Sequence, residues 1–81
     1  MKMRIGTVKR ETEKAVLVPT SIERVDGACG TRDVWWPKSQ VSIEDGKVYV
    51  DSGSWIIGAK ERDLSAELYG DCWLDLVAVE A

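Results

Sequence analysis

Asp45-Gly46 separates two alternating runs, residues 41–44 and 47–50, within the stretch VWWPKSQVSIEDGKVYVD at residues 34–51. A two-residue loop of this composition is the strongest short-range hairpin signal. Both central positions of a type I′ turn need a positive φ, which Gly, Asn and Asp tolerate best. The turn also sets the register: Glu44 faces Lys47, Ile43 faces Val48, Ser42 faces Tyr49 and Val41 faces Val50. Directly opposed residues share a face. One face is therefore Val41, Ile43, Val48 and Val50, all apolar and β-branched. The other is Ser42, Glu44, Lys47 and Tyr49, with an opposite-charge pair beside the turn.

A chain of 81 residues has room for one domain, residues 1–81, and one core. Such a chain buries only about 60% of its unfolded surface, so a partner or self-association would add usefully to its stability. No apolar run approaches the ~20 residues of a membrane span. The basic start, Met1-Lys2-Met3-Arg4, is not followed by the apolar segment of a signal peptide, and the expected location is the cytoplasm. Histidine is absent, which removes the commonest general base, the commonest zinc ligand and every Ser-His or Cys-His nucleophile pair. The net charge of −3 weighs against non-specific duplex binding, which needs a basic surplus or patch. Cys29 and Cys72 lie far apart and outside any C-x-x-C pair. Free thiols in a reducing compartment are the first reading, and a disulfide between them is the alternative.

Residues 3–10 read as a strand with Met3, Ile5 and Thr7 on one face and Val8 on the other, and Gly6 marks a bulge or weak point. The apolar run at 15–18 reads as a strand covered on both sides, joined to the first by a hairpin through Glu11-Thr12-Glu13. Pro19 is expected to end that pairing or to place it at an edge. Residues 20–33 carry turn signals at Asp26-Gly27 and Cys29-Gly30 and no strong periodicity. They read as a long loop pinned to the core by Ile22 and Val25. Extended structure resumes at Val34, and Pro37 should impose a kink, bulge or edge. Ser54 is a good helix N-cap for residues 55–62, with Lys60 and Arg62 in the last turn and Leu64 packing behind. Residues 65–69 fit another helical turn stopped by Gly70. The tail at 72–79 fits either helix or strand; its Val-rich end and the Gly70-Asp71 break favour strand. The fold class is mainly β (α+β): a small antiparallel sheet or barrel of about five strands with one short helix.

The segments ETEKAVLV at 11–18 and VWWPKSQ at 34–40, with the Trp-initiated segment at 55–64, resemble a type of small, mostly uncharacterised bacteriophage and prophage protein. In that pattern a TEKAxLV block precedes a VWxPKSQ block and a W-x-x-x-K helix. The resemblance covers residues 10–64 in scattered blocks, with PKSQ its most specific part. It implies a phage or mobile-element origin and a host-cell cytoplasmic location. Residues 20–33 and 65–81 depart from the pattern.

No signature of catalysis stands out. The glycines sit singly at turns, without a phosphate-cradling pattern, and the Lys38-Ser39 dipeptide lacks a base and an oxyanion hole. The carboxylate pairs, Glu44 with Asp45 and Asp71 with Asp75, have nothing that makes them converge. No enzyme activity, cofactor or metal is expected. Four tryptophans in a chain without phenylalanine are the unusual feature. In an extended segment Trp35 and Trp36 point to opposite faces, so one can enter the core while the other faces outward. An outward Trp36 beside Lys38 and Gln40 would be an amphipathic anchor; packing on an edge or on the helix is its structural alternative. The candidate partner-binding residues are Trp35, Trp36, Lys38, Ser39 and Gln40. The expected function is a non-enzymatic module that binds a host or phage protein, as an inhibitor for instance. The alternative is a single-stranded nucleic-acid binder with a Trp platform and a basic stripe of Arg4, Lys9, Arg10, Lys14 and Lys38. A homo-oligomeric virion component is a third reading.

Overall fold

The central hairpin forms as its sequence requires. In the computed structural model, which describes residues 1–79, Asp45 and Gly46 take φ of 52° and 75°, and Glu44, Ile43 and Ser42 pair with Lys47, Val48 and Tyr49. The strands are β1 (Lys2–Thr7), β2 (Arg10–Glu11), β3 (Ala15–Arg24), β4 (Cys29–Pro37), β5 (Ser42–Glu44), β6 (Lys47–Asp51), β7 (Cys72–Leu74) and β8 (Val77–Val79). A 3-10 turn, Lys38–Gln40, follows β4, and one helix, α1 (Trp55–Glu67), follows β6. The fold is thus mainly β with one helix. Its strands form two antiparallel sheets, one in the order β5-β6-β1-β8 and one in the order β2-β3-β4 with β7 also on β3. The chain passes between the sheets four times, from β1 to β2, from β4 to β5, from β6 through α1 to β7, and from β7 to β8. Those crossings create short strands that raise the number to eight among the described residues.

The core comprises Ile5, Val16, Val18, Ile22, Val34, Trp36, Val48, Val50, Ile56, Leu64 and Cys72. Val48 and Val50 supply the buried half of the hairpin's apolar face, while Ile43 near the turn stays exposed. Trp36 is fully buried. Its indole Nε1–H donates to Thr20 Oγ1 at 3.3 Å, and that hydroxyl donates to the Val18 carbonyl at 2.9 Å. The two buried polar side chains thereby satisfy each other, which removes the desolvation penalty of an unpaired indole.

β1 carries the bulge expected at Gly6: its register on β6 shifts between Arg4 and Gly6. The shift switches which residues face inward, so Val8 rather than Thr7 packs against the core. Gly6 also passes close over β3. A Cβ there would lie 2.7 Å from the Pro19 carbonyl oxygen. The first hairpin is smaller than expected. Only Arg10 and Glu11 pair with Leu17 and Val16, and β1 itself lies between β6 and β8.

β3 runs through Pro19 to Arg24, while its pairing with β2 stops at Leu17, short of Pro19 as expected. Three sequence expectations are corrected. Residues 20–33 are not a loop but the far half of a long hairpin, in which every residue from Ala15 to Glu23 is paired with β4. The true loop is Val25-Asp26-Gly27: Gly27 N–H donates to the Arg24 carbonyl at 2.9 Å, and Gly27 has φ of 85°. This is a type I turn closed by a left-handed glycine, the common three-residue hairpin loop. The Val25 side chain is 65% exposed and does not reach the core, and the loop is held instead by the Val25 N–H, which donates to the Asp71 carbonyl at 3.0 Å; Ile22 is buried as expected.

The helix is the third correction. Ser54 does cap it, accepting from Ile56 N–H at 3.4 Å, but α1 runs 13 residues instead of eight. Lys60 and Arg62 therefore lie mid-helix, and Leu64 is a buried residue of the helix itself. The helix ends in a Schellman arrangement, with Gly70 N–H donating to the Ser65 carbonyl at 3.1 Å and Tyr69 at φ 55°. The tail is extended, as favoured, but breaks at Asp75-Leu76 into β7 and β8 on different sheets. Both cysteines are free thiols, Cys29 exposed and Cys72 buried.

Candidate functional site

The backbone of β3 decides which way everything on its sheet faces. In an antiparallel ladder the N–H and C=O of one residue point to the same side. The Leu17 carbonyl accepts from Lys9 N–H at 2.8 Å, and the Ser21 carbonyl accepts from Asp75 N–H at 2.8 Å. Odd-numbered residues of β3 therefore bond away from β4, and even-numbered residues bond to it. Pro19 is odd, so its missing N–H deletes no bond to β4. It falls in the gap between β2 and β7, which is why the strand continues through it.

Side chains alternate on the same count. Val16, Val18, Thr20 and Ile22 enter the core, and Leu17, Pro19, Ser21 and Glu23 face out. Opposite them on β4, Trp36 and Val34 are buried, while Trp35 lies on the outer face across from Leu17. Trp35 is 43% exposed. Arg10 lies across Leu17 on its other side. Lys9 Nζ closes the near border with an ion pair to Asp33 Oδ2 at 2.6 Å. The outer face thus presents Trp35, Leu17 and Pro19 as an apolar strip with charges at its margin.

The five expected site residues do not gather in one place. Trp35 is the outward indole. Trp36 is part of the core, and in the folded chain no partner can touch it; the alternation that exposes one indole buries the other. Lys38 is ion-paired with Glu11, and its N–H donates to the Lys14 carbonyl at 2.9 Å, which ties the 3-10 turn to the first hairpin. Ser39 and Gln40 line a shallow groove of about 560 Å³ against the polar face of the β5-β6 hairpin. There Lys2 Nζ sits 4.4 Å from the centre of the Tyr49 ring and also pairs with Glu44.

The expected basic stripe is likewise dispersed. Lys9 is paired with Asp33 and Lys38 with Glu11, and Arg4 lies on β1 opposite Tyr49, in the other sheet. Of the five, Lys9 and Lys38 are neutralised by carboxylates and Arg4 is remote. Arg10 and Lys14 remain near Trp35's end of the sheet.

One residue escaped the sequence reading. Trp73 pairs with Glu23 and is 49% exposed, so it occupies the same outer face as Trp35 at the far end of β3. Leu17 and Glu23 are separated by six residues, which places the two indoles about 20 Å apart along the strand. The alternation of Cys72, Trp73 and Leu74 was a signal for it, but nothing in the sequence tells which sheet the segment joins.

Asp51 is held below the usual carboxylate range. Gly53 N–H donates to its Oδ1 at 3.0 Å, and the Met1 ammonium adds to the effect. This is turn geometry ahead of the helix cap, in an exposed position. Among the described residues no group of three or more His, Cys, Asp or Glu side chains is placed to hold a metal, and no helix is long and apolar enough to cross a membrane. Comparison with family models, curated proteins and solved structures finds no significant match.

Proposed function

We propose that this chain is a phage or mobile-element accessory protein, without catalytic activity of its own, that binds a host or phage protein and modulates or inhibits it. The observation that carries the reading is Trp35, presented half-exposed beside Leu17 on a sheet face where Lys9 is already neutralised by Asp33. Tryptophan flanked by aliphatic surface and rimmed by charge has the composition of a protein-binding hot spot. The phage origin and host-cell location rest on the TEKAVLV and VWWPKSQ blocks.

Replacing Trp35 with alanine should abolish recovery of the partner in affinity capture while leaving the far-UV spectrum intact. Recovery unchanged by Trp35→Ala would contradict the reading. Arg10, which keeps no carboxylate partner among the described residues and lies across Leu17 from Trp35, supports a second reading, single-stranded nucleic-acid binding. Titration of tryptophan fluorescence with an oligonucleotide separates the two. Quenching that weakens steeply with salt would select the nucleic-acid reading. The protein-binding reading expects a flat response at low and high salt.

A further inference from the structure

The bonding pattern that explains Pro19 also defines the other side of β4. Its even residues, Gly30, Arg32, Val34 and Trp36, pair with β3. Its odd residues, Cys29, Thr31, Asp33 and Trp35, therefore turn their N–H and C=O groups to the sheet's outer edge. Pro37, also odd, has no N–H to turn. Among the described residues no strand pairs with that edge, and Cys29, Thr31, Asp33 and Trp35 are all exposed. An open edge of this length is a template for an added strand.

A second feature lies at the same edge. A cavity of about 200 Å³ opens beside β4, lined by Arg24, Arg32, Ile22, Gly30 and Leu68 among others. Two guanidinium-bearing residues line it and no carboxylate does. The nearest acidic contact is Glu67, whose Oε1 stands 4.0 Å from Arg32 Nη1 with both side chains largely in solvent. Gly30 leaves space above the sheet there, since nothing lies within 4 Å of where its Cβ would be. A strand laid along β4 would place alternate side chains over this cavity and the intervening ones on the outer face beside Trp35.

We infer that β4 binds an extended acidic segment of the partner by strand addition, with a Glu or Asp side chain of that segment entering the Arg24–Arg32 cavity. The inference rests on the protein-binding reading and gives it a mode. Self-pairing is the less favoured occupant. Full antiparallel overlap of β4 with its own copy centres on residue 33, which sets Asp33 against Asp33 and leaves no carboxylate opposite Arg32.

The probe is a fluorescein-labelled peptide of alternating threonine and glutamate, equal in length to β4, with a threonine-lysine peptide as its counterpart. Anisotropy should show the acidic peptide binding better than the basic one, although the protein's net charge of −3 favours the reverse. Arg32→Glu should weaken acidic-peptide binding about tenfold or more, as loss of a charge-assisted contact does. Thr31→Pro removes one edge N–H and no bond to β3, so it should weaken binding comparably with an unchanged far-UV spectrum. If that variant misfolds, slowed amide exchange at Thr31, Asp33 and Trp35 of the native chain on peptide addition serves in its place. Equal or better binding of the lysine peptide, affinity indifferent to Arg32→Glu, or a dimer of the free protein dissolved by Thr31→Pro would each overturn the inference. A failed peptide test alongside loss of partner recovery in Trp35→Ala would overturn strand addition alone and leave the protein-binding reading in place.

Discussion

The molecule contains two hairpins turned at Asp-Gly, and they differ in what they lean on. At Asp45-Gly46 the strands are short, and Val48 and Val50 reach the core within a few residues of the turn. At Asp26-Gly27 the strands run on well past it: beyond Ile22 and Val34 the side chains on both faces are mostly polar and exposed. The near half of that second hairpin, with Val16, Val18, Val34 and Trp36, is core. Its far half is held by ladder bonds to β3, by β7 and by a turn. A strand pair that outruns its core keeps its backbone pairing and leaves an edge available, and this is where the docking inference falls.

The largest effect expected from this contrast comes from the adjacent indoles. Trp36→Ala should cost about 3–5 kcal/mol in denaturant unfolding, by transfer and cavity terms together. Trp35→Ala should cost about 1 kcal/mol or less, as surface changes do. Similar losses at the two positions would break the division into a buried and a presented face.

Gly6→Ala probes the point where β1 crosses β3. The added methyl would lie 2.7 Å from the Pro19 carbonyl oxygen, a backbone atom that cannot swing aside. A loss of about 1–3 kcal/mol, the range of overpacking, is expected, with faster amide exchange along the β3 ladder. A neutral result would mean that the two sheets are not held in close contact there.

The two turn glycines sharpen the comparison. Gly46 and Gly27 both have positive φ, and alanine at such a position costs about 1–2 kcal/mol. Gly46→Ala should show that cost in global stability. Gly27→Ala should show less, because the far half of its hairpin can open locally without the core. Equal costs would make the two hairpins one cooperative unit. The smallest effect is a gain: Tyr69, 97% exposed at φ 55°, closes the helix beside that far half, and Tyr69→Gly should add about 1 kcal/mol by relieving the left-handed conformation. Thermal unfolding reads it, and a lowered midpoint would contradict the assignment of Tyr69 as the strained cap residue.

The same contrast explains what the amino-acid sequence made legible. The central hairpin was readable because turn chemistry and alternation agree at the three pairs nearest the turn, Glu44 with Lys47, Ile43 with Val48 and Ser42 with Tyr49; the fourth expected pair, Val41 with Val50, lies outside the ladder. The far hairpin was not. Its Asp26-Gly27 turn was visible, but strands whose two faces are both polar leave no period to read, and Pro19 argued against a strand that only the direction of its absent N–H permits. The opposed faces of Trp35 and Trp36 followed from period two. Which of them enters the core did not, because that depends on Thr20, a residue inside the segment taken for a loop. Gly58 weakens the helical signal of its segment, yet α1 runs through it, because the propensity cost is outweighed by the burial of Ile56 and Leu64 on either side of it. Trp73's place beside Glu23 depends on the tail crossing between sheets, which no local pattern encodes.

Residue-resolved amide exchange along β4 of the free protein tests the account most directly. Arg32, Val34 and Trp36, bonded to β3, should be protected, while Thr31, Asp33 and Trp35 should exchange much faster, giving an alternating profile across the strand. Uniform protection of all six amides in the monomer would show that the edge is already occupied, and the presented edge on which the docking inference depends would not exist.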